Sequence, residues 1–219
     1  MGKVQIFEGV SAQWPVALRW QNLVLRPLKR RDRAEWDSVR AANAQWLQPW
    51  DATHPPVWGE ADRLPTFGHM VRAMNRDARA GHSFPWVLCV QQPGQHHARV
   101  AGQVVAAPVQ WGSVRSTALG YWVDHRLAGR NIVPTAVALA IDYLFDRVGL
   151  HRVEINIVPQ NIASHRVVEK LGMRYEGLRK NYLHINGMWT DHDSFAITTE
   201  EWPLDGLVAQ LQADFPLKQ

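Results

Sequence analysis

Residues Tyr121 to Gly149, YWVDHRLAGRNIVPTAVALAIDYLFDRVG, constrain this chain more than any other stretch. They read as a strand, a basic glycine-bearing turn and one long helix. Ala118 to Val123 carry the aromatic and β-branched residues of a buried strand. Beyond the turn, Val133, Val137, Ile141, Leu144, Phe145 and Val148 recur at intervals of three and four, which predicts an amphipathic helix. Asn131 is placed to cap its start and Gly149 to stop it. Pro134 fits because it falls in the first turn, where its missing N–H has no intrahelical acceptor.

The turn itself suits an anion. Arg126, Leu127, Ala128, Gly129, Arg130, Asn131 and Ile132 lie where the first helical N–H groups lack partners, at the positive end of the helix dipole. Gly129 lets the backbone approach a phosphate without a Cβ in between. Neither G-x-x-x-x-G-K-[S/T] nor a G-x-G-x-x-G dinucleotide fingerprint occurs. Taken alone, the turn also fits a basic, capped helix start with no ligand. Arg126-x-x-Gly129-x-Asn131 nevertheless resembles the Q/R-x-x-G-x-G/A turn of the GCN5-related N-acetyltransferases (GNAT), which holds the pyrophosphate of acetyl-CoA. Asn131 departs from the usual Gly or Ala, and Asn tolerates the same left-handed conformation.

The second half extends the resemblance. Arg152 to Ser164, then Val168 to Gly177, contain N-x-x-S-x-x-V-x-E-K-L-G-M-x-x-E-G. This is similar to the ribosomal-protein-alanine (RimJ/RimL-type) branch of that superfamily. The L-x-L-R-P-L of Leu23–Leu28, the N-x-x-W-L-x-P-W of Asn43–Trp50 and the W-x-D-H of Trp189–His192 resemble the same branch. The resemblance covers about residues 22–202. It implies an α+β fold: a mixed, mostly antiparallel seven-stranded sheet flanked by helices. Its fourth and fifth strands, here 117–123 and 151–158, would run parallel and splay apart. Residues 1–21 then form an N-terminal arm, 22–202 a single catalytic domain and 203–219 a C-terminal helical tail.

The residues in between support that layout. Asp32 opens a helix to about Gln45, and a second helix is expected from Glu60 to Ala80, its register awkward at Pro65 and Gly68. Ser83–Gln91 and Ala98–Gln110 read as strands joined by a polar turn. Its adjacent His96 and His97 project differently and make a poor metal pair. Asn161–Leu171 is a helix stopped by Gly172. Strands at 173–185 and 188–198 meet at Asn186-Gly187, a strong hairpin signal. Thr198-x-x-Glu201 reads as a capping box before a short helix.

By this resemblance, acetyl-CoA is the acyl donor and no metal is required. The backbone of Trp122 and Val123 would meet the pantetheine arm, with the Val123 N–H polarising the thioester carbonyl. Asn161 would hydrogen-bond the same arm, Asn156 would sit where the acceptor amine or that arm passes, and Ser164, one helical turn beyond Asn161, would sit beside the sulfur as the acid for the leaving thiolate. Tyr182 is a second candidate for that role. The base is open: Glu154 acting through water, Asp191 and His192 all qualify. Trp46 and Trp50, in a loop reaching Trp58, form one wall of an acceptor groove, and the 186–192 hairpin with Asp191 and His192 forms the other. Asn161 is equally an ordinary helix cap, and the tryptophan loop equally a lid on the core.

Composition bounds these expectations. With 219 residues, 46% of them hydrophobic, the chain buries one core rather than two. Its net charge of +4 concentrates early: Lys3, Arg19, Arg26, Lys29, Arg30, Arg31 and Arg33 face only Glu8 and Asp32. That suits an acidic partner or a solvated surface. A lone Cys89 among apolar neighbours reads as a buried thiol and excludes an internal disulfide. No signal peptide or membrane-length apolar run occurs, so a cytoplasmic enzyme without membrane contact is expected. The expected acceptor is the N-terminal α-amino group of a protein, a ribosomal one on this resemblance. No base-specific nucleic-acid contact is anticipated, and a monomer or homodimer is. The alternatives are a small amine such as an antibiotic or polyamine, and a non-catalytic acyl-CoA-binding module associated with ribosomes.

Overall fold

The computed structural model describes residues 13–55, 65–92, 94–95 and 97–218. Most of the N-terminal arm, Trp58, the expected helix start at Glu60 and His96 therefore lie outside the described residues.

One mixed sheet runs through the molecule. Its strands are β1 (Leu18–Trp20), β2 (Leu23–Pro27), β3 (Phe84–Val90), β4 (Arg99–Gln110), β5 (Ser116–Val123), β6 (Arg152–Ile157), β7 (Arg174–Ile185) and β8 (Met188–Thr198). Their spatial order is β1-β2-β3-β4-β5-β6-β8-β7. All neighbours are antiparallel except β5 and β6. Among the described residues the sheet thus has eight strands, not the seven expected. The additional one is β1, three residues paired with β2 through a tight turn at Gln21, whose φ is 49°. So short a strand leaves no period to read. Trp14, Val16 and Leu18 are nevertheless buried in the main core.

Helices cover both faces: α1 (Arg33–Ala42), α2 (Ala44–Leu47), α3 (Phe67–Arg79), α4 (Ile132–Tyr143), α5 (Ile162–Lys170) and α6 (Leu207–Asp214). One face packs Trp36 of α1 and Val71 of α3 on Val24, Val87, Cys89 and Val100. Burial pushes the Cys89 thiol up to about 11, so it is an inert core residue. The other face packs α4 and α6 on Trp14, Phe84, Trp86 and Leu88. Every residue of α4 except Val133 is buried, so the helix is not amphipathic as expected. Its polar side of Thr135 and Asp142 is covered by α6. Asp142 accepts hydrogen bonds from Trp202 Nε1 (2.7 Å), Leu207 N (2.7 Å) and Val208 N (3.0 Å). It thereby caps α6, whose own cap residue, Gly206, has no side chain to do so.

The helix ends follow local chemistry. α4 passes into a wider π turn over Leu144–Val148 that stops at Gly149, left-handed at φ 74°. α3 begins only at Phe67, after Pro65, with Thr66 as its cap. Only half of the expected capping box forms: the Glu201 carboxylate accepts from Thr198 N (3.0 Å) and Thr198 Oγ1 (3.3 Å), while Glu201 N donates to the Thr198 carbonyl and closes a turn; the helix begins at Leu207.

Candidate active site

The parallel strands β5 and β6 are paired only from Ser116–Ala118 to Arg152–Glu154. Beyond Ala118 they diverge. Asp124 N donates to Ala101 O at 2.7 Å, on the β4 side. Backbone groups alternate sides along a strand, so those of Trp122 also face β4 while those of Val123 face the opening. Of the two residues expected to offer backbone there, Val123 is the one turned toward the gap.

The gap ends at the turn between β5 and α4. Asp124 is buried and anchors it, accepting bonds from Arg126 N (3.1 Å) and Arg126 Nε (3.0 Å). The Arg126 guanidinium holds the Asp124 carboxyl below its usual range. Arg126 is thus folded onto Asp124, whereas the Arg130 side chain has no partner among the described residues. Leu127 is buried; Gly129 and Asn131 are left-handed, at φ 75° and 61°. The Asn131 side chain does not cap α4. The N–H groups of Gly129, Arg130, Asn131, Ile132 and Val133 make no hydrogen bond within the described chain. A turn of unpaired amides at a helix start fits a pyrophosphate.

On the far side of the gap, Asn161 Oδ1 accepts from Ser164 N at 3.1 Å, capping α5. The Ser164 carbonyl receives the Tyr121 hydroxyl at 3.4 Å, tying α5 to β5. Ser164 Oγ makes no hydrogen bond among the described residues and is only half-buried.

Register sets which side chains share a face of the sheet. Trp122 of β5 shares it with Arg152, Glu154 and Asn156 of β6, and with His192 and Ser194 of β8. Asn156 Oδ1 accepts from Ser194 Oγ at 2.6 Å. Both Glu154 oxygens are occupied, by Arg152 Nε (2.9 Å) and Arg179 Nη2 (2.8 Å). Asp191 is likewise committed, to Lys180 Nζ and Asn181 N at 2.8 Å each, and these hold its carboxyl below the usual range. His192 is different. It is buried, and its Nδ1 lies 2.9 Å from the Thr190 carbonyl, which can only accept. Nδ1 therefore carries the proton and Nε2 keeps its lone pair. Burial lowers its pKa below the ordinary 6.5. The Tyr182 ring packs edge-on against it at 5.7 Å, beneath the Arg179 guanidinium.

The two expected walls meet. Thr53 N donates to His184 O (2.9 Å), Asn186 N to Asp51 O (3.0 Å) and Gly187 N to Thr53 Oγ1 (3.0 Å). Asp51 also pairs with Arg40 at 2.7 Å, and Arg40 lies over the Trp122 indole at 5.1 Å. A continuous rim thus runs from Trp122 through Arg40 and Asp51 to the hairpin. Trp46 and Trp189 are exposed, at 41% and 57%, while Trp50 is half-buried. Sequence reading overlooked Arg40 and Gly102 here, and took Asn43 only as part of a motif. Asn43 is buried, and its Oδ1 accepts from His125 N at 2.8 Å, bracing the turn. A glycine inside a strand was the available signal for Gly102.

Comparison with known proteins agrees with this geometry. The model of the acetyltransferase (GNAT) domain matches residues 22–174. The Escherichia coli (ribosomal protein uS5)-alanine N-acetyltransferase is 30% identical over 189 residues, 85% of this chain and 93% of that protein. A Bacillus subtilis relative, "Probable N-acetyltransferase YjcK", is 37% identical over 99 residues, 45% of this chain and little more than half, 55%, of its own length. Among solved structures, Mycobacterium smegmatis RimJ in complex with CoA-disulfide superposes with a TM-score of 0.78 at 32% identity, covering 95% of this chain and 93% of that one. By sequence over most of its length, and by the splayed parallel pair at its centre, the chain belongs to the GNAT family of acetyltransferases.

Proposed function

We propose that this enzyme transfers the acetyl group of acetyl-CoA to the N-terminal α-amino group of a protein that begins with a small residue such as alanine. The observation carrying this reading is the match along nearly the whole of an alanine N-acetyltransferase that acts on a ribosomal protein. The acceptor side supports it. Trp46 and Trp189 are exposed, one on each of the two expected walls, and exposed indoles can grip an extended chain by stacking without demanding one sequence. An acceptor from the ribosome would place the enzyme in the cytoplasm.

In this reading the Gly129–Val133 amides and Arg130 hold the pyrophosphate, with Arg126 available once it leaves Asp124. Val123 N–H, facing the gap, meets the oxyanion that develops on the thioester carbonyl. Asn156 and Asn161 line the donor's arm. The acceptor must lose a proton before its nitrogen can attack. An N-terminal amine, with a pKa of about 7.7–8.0 against about 10.4 for lysine, gives up that proton far more readily near neutral pH.

His192 Nε2 is the group placed to take it: neutral, with its lone pair free and its ring fixed by Thr190. Glu154 would have to work through water from between two arginines, and Asp191 from between two donors. As the new C–N bond forms the C–S bond breaks, and Ser164 Oγ delivers a proton to the departing sulfur. Initial rates on an Ala-initiated peptide, its N-blocked lysine-containing twin and spermidine test the proposal. The first should be the best substrate; faster turnover of either of the others would overturn it.

A further inference from the structure

Asn131 is the one position in the phosphate turn that departs from the small residue expected there. Its surroundings supply a reason. Asn131 is 6% exposed, with Nδ2 donating to Pro216 O (3.0 Å) and Phe215 O (3.3 Å). Its Oδ1 accepts from Lys170 Nζ, at the end of α5, at 2.6 Å. The same ammonium lies 5.2 Å from the Phe215 ring centre. Lys218 N donates to Arg130 O at 3.1 Å. Gln212 closes the circuit. Its Oε1 accepts from Leu217 N (2.9 Å), and its Nε2 donates to Thr135 Oγ1 (3.0 Å), which itself donates to Asn131 O (2.7 Å).

We infer that Asn131, Lys170 and the segment Phe215–Lys218 form a strap that holds the turn in its acetyl-CoA-binding shape, with Asn131 as the positioning residue. Every strap bond at the turn engages a side chain or a carbonyl, namely Arg130 O and Asn131 O. None consumes an N–H between Gly129 and Val133. The carbonyls that would repel a phosphate are drawn toward donors behind the turn, and the amides stay available in front. Glycine could adopt the same left-handed backbone, but it has no amide to fasten it. An asparagine pays a conformational penalty at φ 61° that the three side-chain bonds offset.

This inference rests on the reading that the pyrophosphate lies on this turn, and the experiment separates the two. Acetyl-CoA binding by calorimetry and steady-state kinetics on an Ala-initiated peptide are measured for four variants: Asn131→Gly, a chain ending at Asp214, the two combined, and Gly129→Asp. If the strap is lost, the competent turn becomes a minority population and apparent affinity falls in proportion. Asn131→Gly and the shortened chain should each weaken acetyl-CoA binding roughly tenfold, with competent turns falling to about one tenth. KM for acetyl-CoA should rise in step, while kcat and the acceptor KM stay within twofold. The combined variant should be no worse than either alone, because both remove one device. If Asn131→Gly binds acetyl-CoA like the wild type while Gly129→Asp binds poorly, the turn stands and the strap is refuted. Additive losses in the combined variant refute it as well. If folded Gly129→Asp keeps full affinity, the turn reading itself fails and the strap goes with it. Should the shortened chain not fold, Asn131→Gly carries the test alone.

Discussion

Gly102 of β4 and Trp122 of β5, one register step apart, approach so closely that a Cβ on Gly102 would lie 2.1 Å from the Trp122 carbonyl oxygen. The obstacle is backbone, so no side-chain rotation relieves it. The contact sets how near β4 lies to the end of β5, and therefore where the Val123 N–H points. Gly102→Ala should displace that N–H by the better part of an ångström. Shifts of that size at a reacting centre cost on the order of 100-fold in rate, and overpacking adds about 1–3 kcal/mol of instability. We expect kcat/KM to fall by about that factor in a protein with a lower melting temperature. Wild-type kinetics from Gly102→Ala would detach this strand end from catalysis.

Ser164 sits at the start of α5, its hydroxyl without a hydrogen bond among the described residues. As the acid for the leaving thiolate, it should be missed in the chemical step alone. Ser164→Ala should lower kcat roughly 10- to 1000-fold, the range of a positioned acid, with acetyl-CoA affinity nearly unchanged. Single-turnover measurement checks this, because it isolates acetyl transfer from product release.

As the proposed base, His192 would give the reaction a pH signature. Its pKa is depressed by burial, so the neutral base survives below pH 6.5 and is lost only as pH falls through that lower value. The acceptor amine contributes its own limb near pH 8, about its free pKa. The logarithm of kcat/KM should therefore fall with unit slope from about pH 7.5 toward 6.5. It should steepen to a slope of two below the His192 pKa. In His192→Gln the steepening should vanish and only the amine limb remain. A profile in which the variant retains both inflections would assign the base elsewhere. The same shift affects stability. The depressed pKa means the unfolded state binds the extra proton first, so His192 destabilises the fold as pH falls below 6.5, an effect absent in His192→Gln.

Much of this architecture was legible because its cues are local. Asn186-Gly187 announced its hairpin, and both residues are left-handed, at φ 45° and 86°. Gly149 and Gly172 stop their helices where a residue without Cβ is needed. What stayed hidden depends on partners distant in sequence. The polar residues of α4 suggested a solvent face, but Asp142 spends its charge capping α6, some 65 residues away. Asn131 resembled an N-cap because only the folded chain brings Pro216 and Lys170 to it. The acceptor side was legible as residue types but not as a connected rim. Nothing in the spacing of Arg40, Asp51 and Asn186 indicates that they meet.

The proposed function turns on which nitrogen receives the acetyl group. A single peptide with a free N-terminal alanine and an internal lysine, incubated with acetyl-CoA and enzyme near pH 7.5, offers both amines on one molecule. Fragmentation mass spectrometry then locates the added acetyl group. It should be found on the alanine nitrogen, with the lysine unmodified at early times. Acetyl on the lysine side chain, or no transfer to this peptide under conditions where spermidine is acetylated, would contradict the proposal.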